Sequence, residues 1–317
     1  MKALVTGTAG FIGSHLSTAL VGEGADVVGL DCFTDYYPRW MKEQNLSGLI
    51  GRPGFSLVEA PLQTVDFDRV LEGVTHVFHL AAQAGVRKSW GREFATYITH
   101  NIEGTQRLLE AVKGRSIERL VYASSSSVYG DAVAMPMREE AVPQPVSPYG
   151  VTKLAAEHLC TLYHANYGVP AVSLRYFTVY GPRQRPDMGF HRFLRAAHLG
   201  EPIALYGDGE QTRDFTFVAD AVSATIAAGR QGRPGGVYNV GGGSRVSINQ
   251  VLALVEKVVG RPLVLRREPA QEGDMRNTFA DTTRARTELG FAPSKSLESG
   301  LAAENDWLAE RLAASKS

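Results

Sequence analysis

The chain opens with a strand, a glycine loop and a helix in direct succession, and no other feature limits its fold so tightly. Ala3 to Thr6 reads as a short strand, Thr6-Gly7-Thr8-Ala9-Gly10-Phe11-Ile12-Gly13 follows, and a helix runs from about Ile12 to Gly22. Glycines there allow a tight turn, let backbone approach a pyrophosphate and permit close helix–strand packing. The helix amino terminus adds free N–H groups and the positive end of its dipole. The GxxGxxG spacing is one residue longer than the commonest dinucleotide fingerprint, so the glycines alone are weak evidence. Their context is stronger. Val27 to Leu30 is a second strand, and Asp31 ends it eighteen residues beyond Gly13. A carboxylate there accepts hydrogen bonds from adenosine ribose hydroxyls and repels a 2′-phosphate, which favours NAD over NADP. Phe11 and Ile12 in the loop, and Leu80 at a later strand end, are assigned to the same cofactor site as Gly7, Gly10, Gly13 and Asp31.

Strands and helices go on alternating. Val77 to Ala81 and Leu120 to Ala123 read as buried strands, with a helix near Tyr97 to Lys113 between them. A further helix spans Pro148 to about Tyr167, and Ala171 to Tyr176 returns to strand. This alternation predicts an α/β fold, a Rossmann-type doubly wound parallel sheet covered on both faces. Beyond residue 177 the segments shorten. Turns such as YGDGEQ occur, and helices near 247–259 and 281–288 flank the strand-like Leu263 to Leu265. The expectation is a smaller mixed α/β substrate lobe made of 178–213 and 242–317. Residues 1–177 form the Rossmann domain, and 214–241 return to it through Val237 to Val240.

Composition removes several classes of function. Among 317 residues, 33 basic side chains balance 33 acidic ones, which argues against a surface built for nucleic acid. Cys32 and Cys160 offer neither a disulfide framework nor metal spacing, and the histidines, His79 included, are isolated, so no metal is expected. MKALVTGTAGFIG is an apolar run broken by glycines, unlike a signal peptide or membrane span. The expectation is a cytoplasmic protein with no membrane or nucleic-acid partner.

The chemistry concentrates in Ser147-Pro148-Tyr149-Gly150-Val151-Thr152-Lys153. Ser147 is placed to cap a helix, with Pro148 in its first turn and Gly168 ending it. Tyr149 and Lys153 are four residues apart and share a face. An ammonium beside a phenol favours the phenolate, which makes a general base for an alcohol.

TGTAGFIG, Asp31, SSSSVYG, YGVTK, GDGEQTRDF and GDMRNTFAD together resemble the extended short-chain dehydrogenase/reductase family of NAD-dependent nucleotide-sugar epimerases, dehydratases and decarboxylases. The likeness covers essentially the whole chain. It implies Tyr149, Lys153 and Ser125 as catalytic residues, Lys153 also touching NAD. It implies Arg213 on the diphosphate of a UDP-sugar and Asp274 on the uridine ribose, with Arg87 either facing the substrate or on the surface. One departure is that Pro61, in Glu59-Ala60-Pro61-Leu62, stands where the family often has an acidic contact to adenine. Arg39 and Lys42 are left between the cofactor and solvent. Relatives of this kind commonly dimerise through helices near 97–113 and 148–167, so a homodimer is expected.

Within that resemblance, dehydratases and decarboxylases carry acidic residues in the two positions between Ser125 and Val128, where this chain has Ser126 and Ser127. Without a carboxylate there, return of hydride to the other face of a rotated 4-ketone is favoured, which is epimerisation at C4. The run RYFTVYGPRQRPDM resembles the UDP-glucuronic acid 4-epimerases, with Thr178 where glucose epimerases typically have Asn. By that likeness Ser126, Ser127, Thr178 and especially Arg185 hold the hexuronate carboxylate, giving UDP-galacturonic acid without decarboxylation. A planar guanidinium suits that bidentate contact, and Pro182 and Pro186 stiffen its loop. Arg175 belongs to the strand, and Arg183 stays open. The alternatives are a UDP-glucose 4-epimerase, then a UDP-glucuronate decarboxylase or a non-catalytic NAD-binding regulator.

Overall fold

The computed structural model describes residues 1–131, 134–269, 271 and 273–314. Its centre is a seven-stranded sheet, all parallel. The strands are β1 (Lys2–Thr6), β2 (Asp26–Asp31), β3 (Phe55–Glu59), β4 (His76–His79), β5 (Arg119–Ser125), β6 (Ala171–Tyr176) and a last one, Val237–Val240. From one edge to the other they run Val237–Val240, β6, β5, β4, β1, β2, β3. The chain therefore moves outward from β1 in one direction and, after β3, crosses back to lay β4 on its other side. That reversal opens a crevice at the carboxyl ends of β1 and β4, the place where such sheets bind ligands.

Alternation along each strand explains why both faces must be covered. In β1, Ala3 and Val5 enter the core on one side of the sheet and Leu4 enters the other. In β5, Val121 faces the first side and Leu120 and Tyr122 the second. Helix α1 (Phe11–Gly22) and helix Val218–Gln231 pack together over the first face through Leu16, Leu20, Ala221 and Ala224. The second face is covered by Leu108 and Leu109 of helix Gly104–Val112, and by Ala156 and Cys160 of helix Pro148–Tyr167.

The sequence places most of these elements within a residue or two, with instructive exceptions. The helix expected near Tyr97 to Lys113 is compound: Phe94–Tyr97 is α-helical, Ile98–Glu103 widens to a π-helix, and Gly104–Val112 returns to α. The strand expected at Leu263 to Leu265 instead covers Leu265–Glu268, because it pairs with Ile203–Tyr206 in that register. Beyond residue 177 the segments are not uniformly short. Helices Gly189–Leu199, Val218–Gln231 and Leu297–Ala314 are additional, the last being 18 residues long. Among the described residues, no helix is long and apolar enough to cross a membrane.

Candidate active site

The glycine loop is forced into its shape by its own backbone. Gly7 has φ +73°, and a Cβ there would stand 2.8 Å from the Ala81 nitrogen; one on Gly13 would lie 2.1 Å from the Gly7 oxygen. No side chain caps α1, whose N-cap is Gly10, so the first N–H groups of the helix remain available to an anion. Asp31 is oriented by two backbone donors, Ala9 N–H at 3.0 Å to Oδ2 and Phe33 N–H at 2.8 Å to Oδ1. Each oxygen keeps a lone pair for a ribose hydroxyl. Burial raises the Asp31 pKa, while these two bonds and Lys42 pull it back.

Gly7, Gly10, Phe11, Ile12, Gly13, Asp31, Leu80 and Lys153 line a single cavity. Ala60 and Leu62, not Pro61, complete its wall beyond β3, and Glu59 points away into an ion pair with Arg39 at 2.7 Å. Lys42 also lines the cavity, buried, with Nζ donating to the Thr34 carbonyl at 2.6 Å; Arg39 stays at the surface. An uncapped helix terminus at one end of the cavity and a backbone-held carboxylate at another fit a dinucleotide.

Tyr149 and Lys153 reach the far end of the same cavity, on helix Pro148–Tyr167. Ser147 caps that helix, its Oγ accepting from Gly150 N–H at 3.1 Å, and Gly168 closes it at φ +68°. The π-helical turn has a clear consequence here. It carries Asn101 inward, where Nδ2 donates to the Gln83 carbonyl (3.0 Å) and to Thr152 Oγ1 (2.9 Å), bracing the turn between Tyr149 and Lys153. Nothing in the spacing of the sequence signals that residue.

The electrostatics correct the simple picture of an ammonium lowering the tyrosine pKa. Lys153 is buried, and desolvation brings its pKa down to about 7, with Cys160 and Glu157 acting in the opposite sense. Its Nζ lies 4.4 Å from the centre of the Tyr122 ring. Burial raises the Tyr149 pKa, and what lowers it is a hydrogen bond with Ser125 and the charge of Arg185. Helical spacing gave the shared face but not the buried aromatic that receives the ammonium.

A second cavity begins where β5 ends. Ser126, Ser127, Thr178, Arg213 and Asp274 line it together with Val86 and Met275. Ser125 sits at the rim of β5, its Oγ accepting from Ser127 N–H at 3.1 Å. Arg213 is turned by its bonds to the carbonyls of Thr212 (2.9 Å) and Arg276 (3.2 Å). Arg87, half-exposed, is an ion-pair partner of Asp274, Nη2 to Oδ2 at 2.7 Å, and its guanidinium covers the Tyr206 ring at 4.3 Å.

The arginine-rich run divides three ways. Arg175 lies in β6, buried in a fork with Glu157. Arg183 has φ +66° and a buried Nη1 that finds no hydrogen-bond partner among the described residues. Arg185 lines the first cavity with Tyr149, not the second with the serines. It is also not the free cation that the sequence suggests, since Asp187 takes its Nε and Nη2 at 3.0 Å each. The loop that presents it is held by side chains as well as prolines. Glu304 accepts from Gly181 N–H at 2.7 Å, neutral His15 meets the Pro182 carbonyl at 2.8 Å, and Gln184 spans Val179 and His191. His79 bridges Thr6 (2.7 Å) and Thr105 (2.9 Å) beneath the crevice. Among the described residues, no group of three or more His, Cys, Asp or Glu is placed to hold a metal.

The comparisons with known proteins point to one family. The model of the NAD dependent epimerase/dehydratase family matches residues 3–241. An uncharacterized UDP-glucose epimerase of Bacillus subtilis is 44% identical over 97% of this chain and 98% of its own. A UDP-glucuronate 4-epimerase of Thermodesulfobacterium geofontis is 37% identical over 99% of this chain and 98% of its own. The crystal structure of UDP-glucuronic acid 4-epimerase from Bacillus cereus, in complex with UDP-glucuronic acid and NAD, superposes with a TM-score of 0.96. It is 43% identical, covering 98% of this chain and all of that one. A family model that spans most of the chain, with relatives of 37% identity and above over nearly its whole length, settles the assignment: the chain belongs to the NAD dependent epimerase/dehydratase family.

Proposed function

We propose that this protein is a UDP-glucuronate 4-epimerase that uses NAD. The observation that carries the reading is the second cavity. Ser126, Ser127 and Thr178 converge there with Arg213 and Asp274, and no carboxylate occupies 126 or 127. Hydroxyls in those positions can hold a hexuronate carboxylate and cannot carry out acid-assisted elimination. NAD supplies the acceptor, and then the donor, of the hydride at C4. The loop N–H groups and Asp31 bind it at one end, and Lys153 meets it at the other.

Tyr149 takes the proton of the C4 hydroxyl while Ser125 holds the same oxygen. Ser125 and the Arg185 charge both favour the phenolate. Arg213 binds the diphosphate and Asp274 the uridine ribose, with Arg87 fixing that carboxylate. A 4-ketone beside a C5 carboxylate is a β-keto acid prone to lose carbon dioxide. Ser126, Ser127 and Thr178 protect it from the second cavity by holding the carboxylate out of alignment for C–C cleavage, and Arg185 meets it from the first. The likeness to a UDP-glucose epimerase supports a second reading, a neutral hexose substrate. Ile98, Val151 and Leu162, exposed on the helices at 94–112 and 148–167, support a homodimer. Kinetics of Arg185→Ala separate the two substrates. Turnover of UDP-glucuronate should fall far more than any turnover of UDP-glucose, and equal losses would count against a carboxylate at this arginine.

A further inference from the structure

Arg185 and Asp187 are two residues apart in a loop clamped by Glu304, His15 and Gln184. Their side chains are 20% and 29% exposed, so the pair is largely withdrawn from water. Asp187 occupies one edge of the guanidinium, Nε and Nη2, and Nη1 donates to no acceptor among the described residues. Asp187 is itself held from the other side, where the Tyr36 hydroxyl donates to Oδ2 at 3.3 Å. Tyr36 in turn is wedged against Gly85, at which a Cβ would stand 2.2 Å from the hydroxyl, and Lys88 lies 4.8 Å from its ring centre. Burial alone would raise the Asp187 pKa, and the charge and hydrogen bonds of Arg185 more than reverse it. The carboxylate is therefore ionised, and the pair presents no net charge to the cavity.

We infer that Asp187 is a built-in counter-ion that sets substrate selectivity: it aligns Arg185, leaves the Nη1 side for the sugar, and weakens the guanidinium's hold on a hexuronate carboxylate. This rests on the proposed function. An epimerase of that kind must bind both C4 epimers and let the ketone turn over between them. Tight holding of the carboxylate by a bare cation would strengthen ground-state binding equally for every orientation and would not speed the reaction. Asp187 also spares the site an unpaired, partly buried cation when a neutral hexose enters, so it narrows the preference between charged and neutral sugars. Asp187 acts through Arg185 and is a positioning residue.

The test is calorimetric binding of UDP-glucuronate and UDP-glucose to NAD-loaded protein in a Tyr149→Phe background, where chemistry does not intervene. Asp187→Asn keeps the shape and one acceptor but removes the charge. UDP-glucuronate should bind about tenfold more tightly, the scale of one unit charge close behind a partly buried guanidinium after screening. UDP-glucose should bind no more tightly than before. Unchanged or weaker binding of UDP-glucuronate overturns the inference, as does equal tightening of both sugars. Wild-type turnover of UDP-glucuronate tests the underlying function separately, so the two failures are distinguishable.

Discussion

Replacing Glu157 by Gln should both destabilise the protein and move its pH–activity profile. Glu157 is 3% exposed and lies one helical turn beyond Lys153. It forms a fork with Arg175, Nη2 to Oε1 at 2.6 Å and Nε to Oε2 at 3.1 Å, and accepts from the Ser124 hydroxyl at 2.6 Å. Glutamine retains one acceptor oxygen for these three donors. Arg175 would keep only the Glu139 carbonyl at 3.2 Å and the Tyr129 ring at 4.7 Å. Removing one partner of a buried pair typically costs about 3–5 kcal/mol, and the surviving oxygen of glutamine puts this case at about 3. Against a total stability of about 5–15 kcal/mol, that is a large fraction. Urea unfolding of wild type, Glu157→Gln and the double variant Glu157→Leu/Arg175→Met measures it. The double variant should be nearer to wild type than Glu157→Gln, because it leaves no charge uncompensated. The Glu157 carboxylate also supports the charged form of Lys153 against desolvation. Without it the Lys153 pKa falls below about 7, so the alkaline limb of kcat should move to lower pH. A cost below about 1 kcal/mol would refute the reasoning about the pair. An unmoved limb would refute the link to Lys153.

Two further outcomes follow from single contacts. Gly13→Ala should abolish NAD binding measured by fluorescence titration, since its Cβ would fall 2.1 Å from a backbone oxygen that has nowhere to go; a normal affinity would show that the loop is not rigid. His79 is held neutral, its pKa lowered from 6.5 to about 3 by burial and the charge of Lys153. A folded pKa below the unfolded one means that stability is lost as pH falls from about 6.5 towards 3, with His79 contributing about 2 kcal/mol of loss by pH 5. His79→Asn should flatten that part of the acid limb in urea unfolding, and an unchanged slope would assign the loss to other groups.

The parallel sheet was legible because its strands are short apolar runs closed by glycine loops or helix caps, signals that act over a few residues. Thus Pro148 to Tyr167, with Ser147 before it and Gly168 after it, is found at its expected bounds. Helices Val218–Gln231 and Leu297–Ala314 were harder to see. The first is rich in alanine, and the second buries Gly300 against the Tyr180 hydroxyl, so neither shows a plain apolar stripe. The cofactor end of the site was legible because one local loop and one strand end build it. Tyr36, Asn101 and Asp187 were not. The first two act across the fold, Tyr36 reaching Gly85 and Asp187 and Asn101 reaching Thr152 through a π-turn, and the pairing of Asp187 with Arg185 depends on how their loop is held. Sequence spacing fixes which side chains share a face, and partners across loops are settled only by the packing of the whole molecule.

The protein should epimerise UDP-glucuronate at C4 with the carboxylate retained. Incubating the purified protein with NAD and UDP-glucuronate, and following the sugar by proton NMR, tests it most directly. UDP-galacturonate should accumulate to an equilibrium mixture while UDP-pentose stays a trace. Accumulation mainly of UDP-pentose, or no turnover of UDP-glucuronate while UDP-glucose is epimerised, would contradict it.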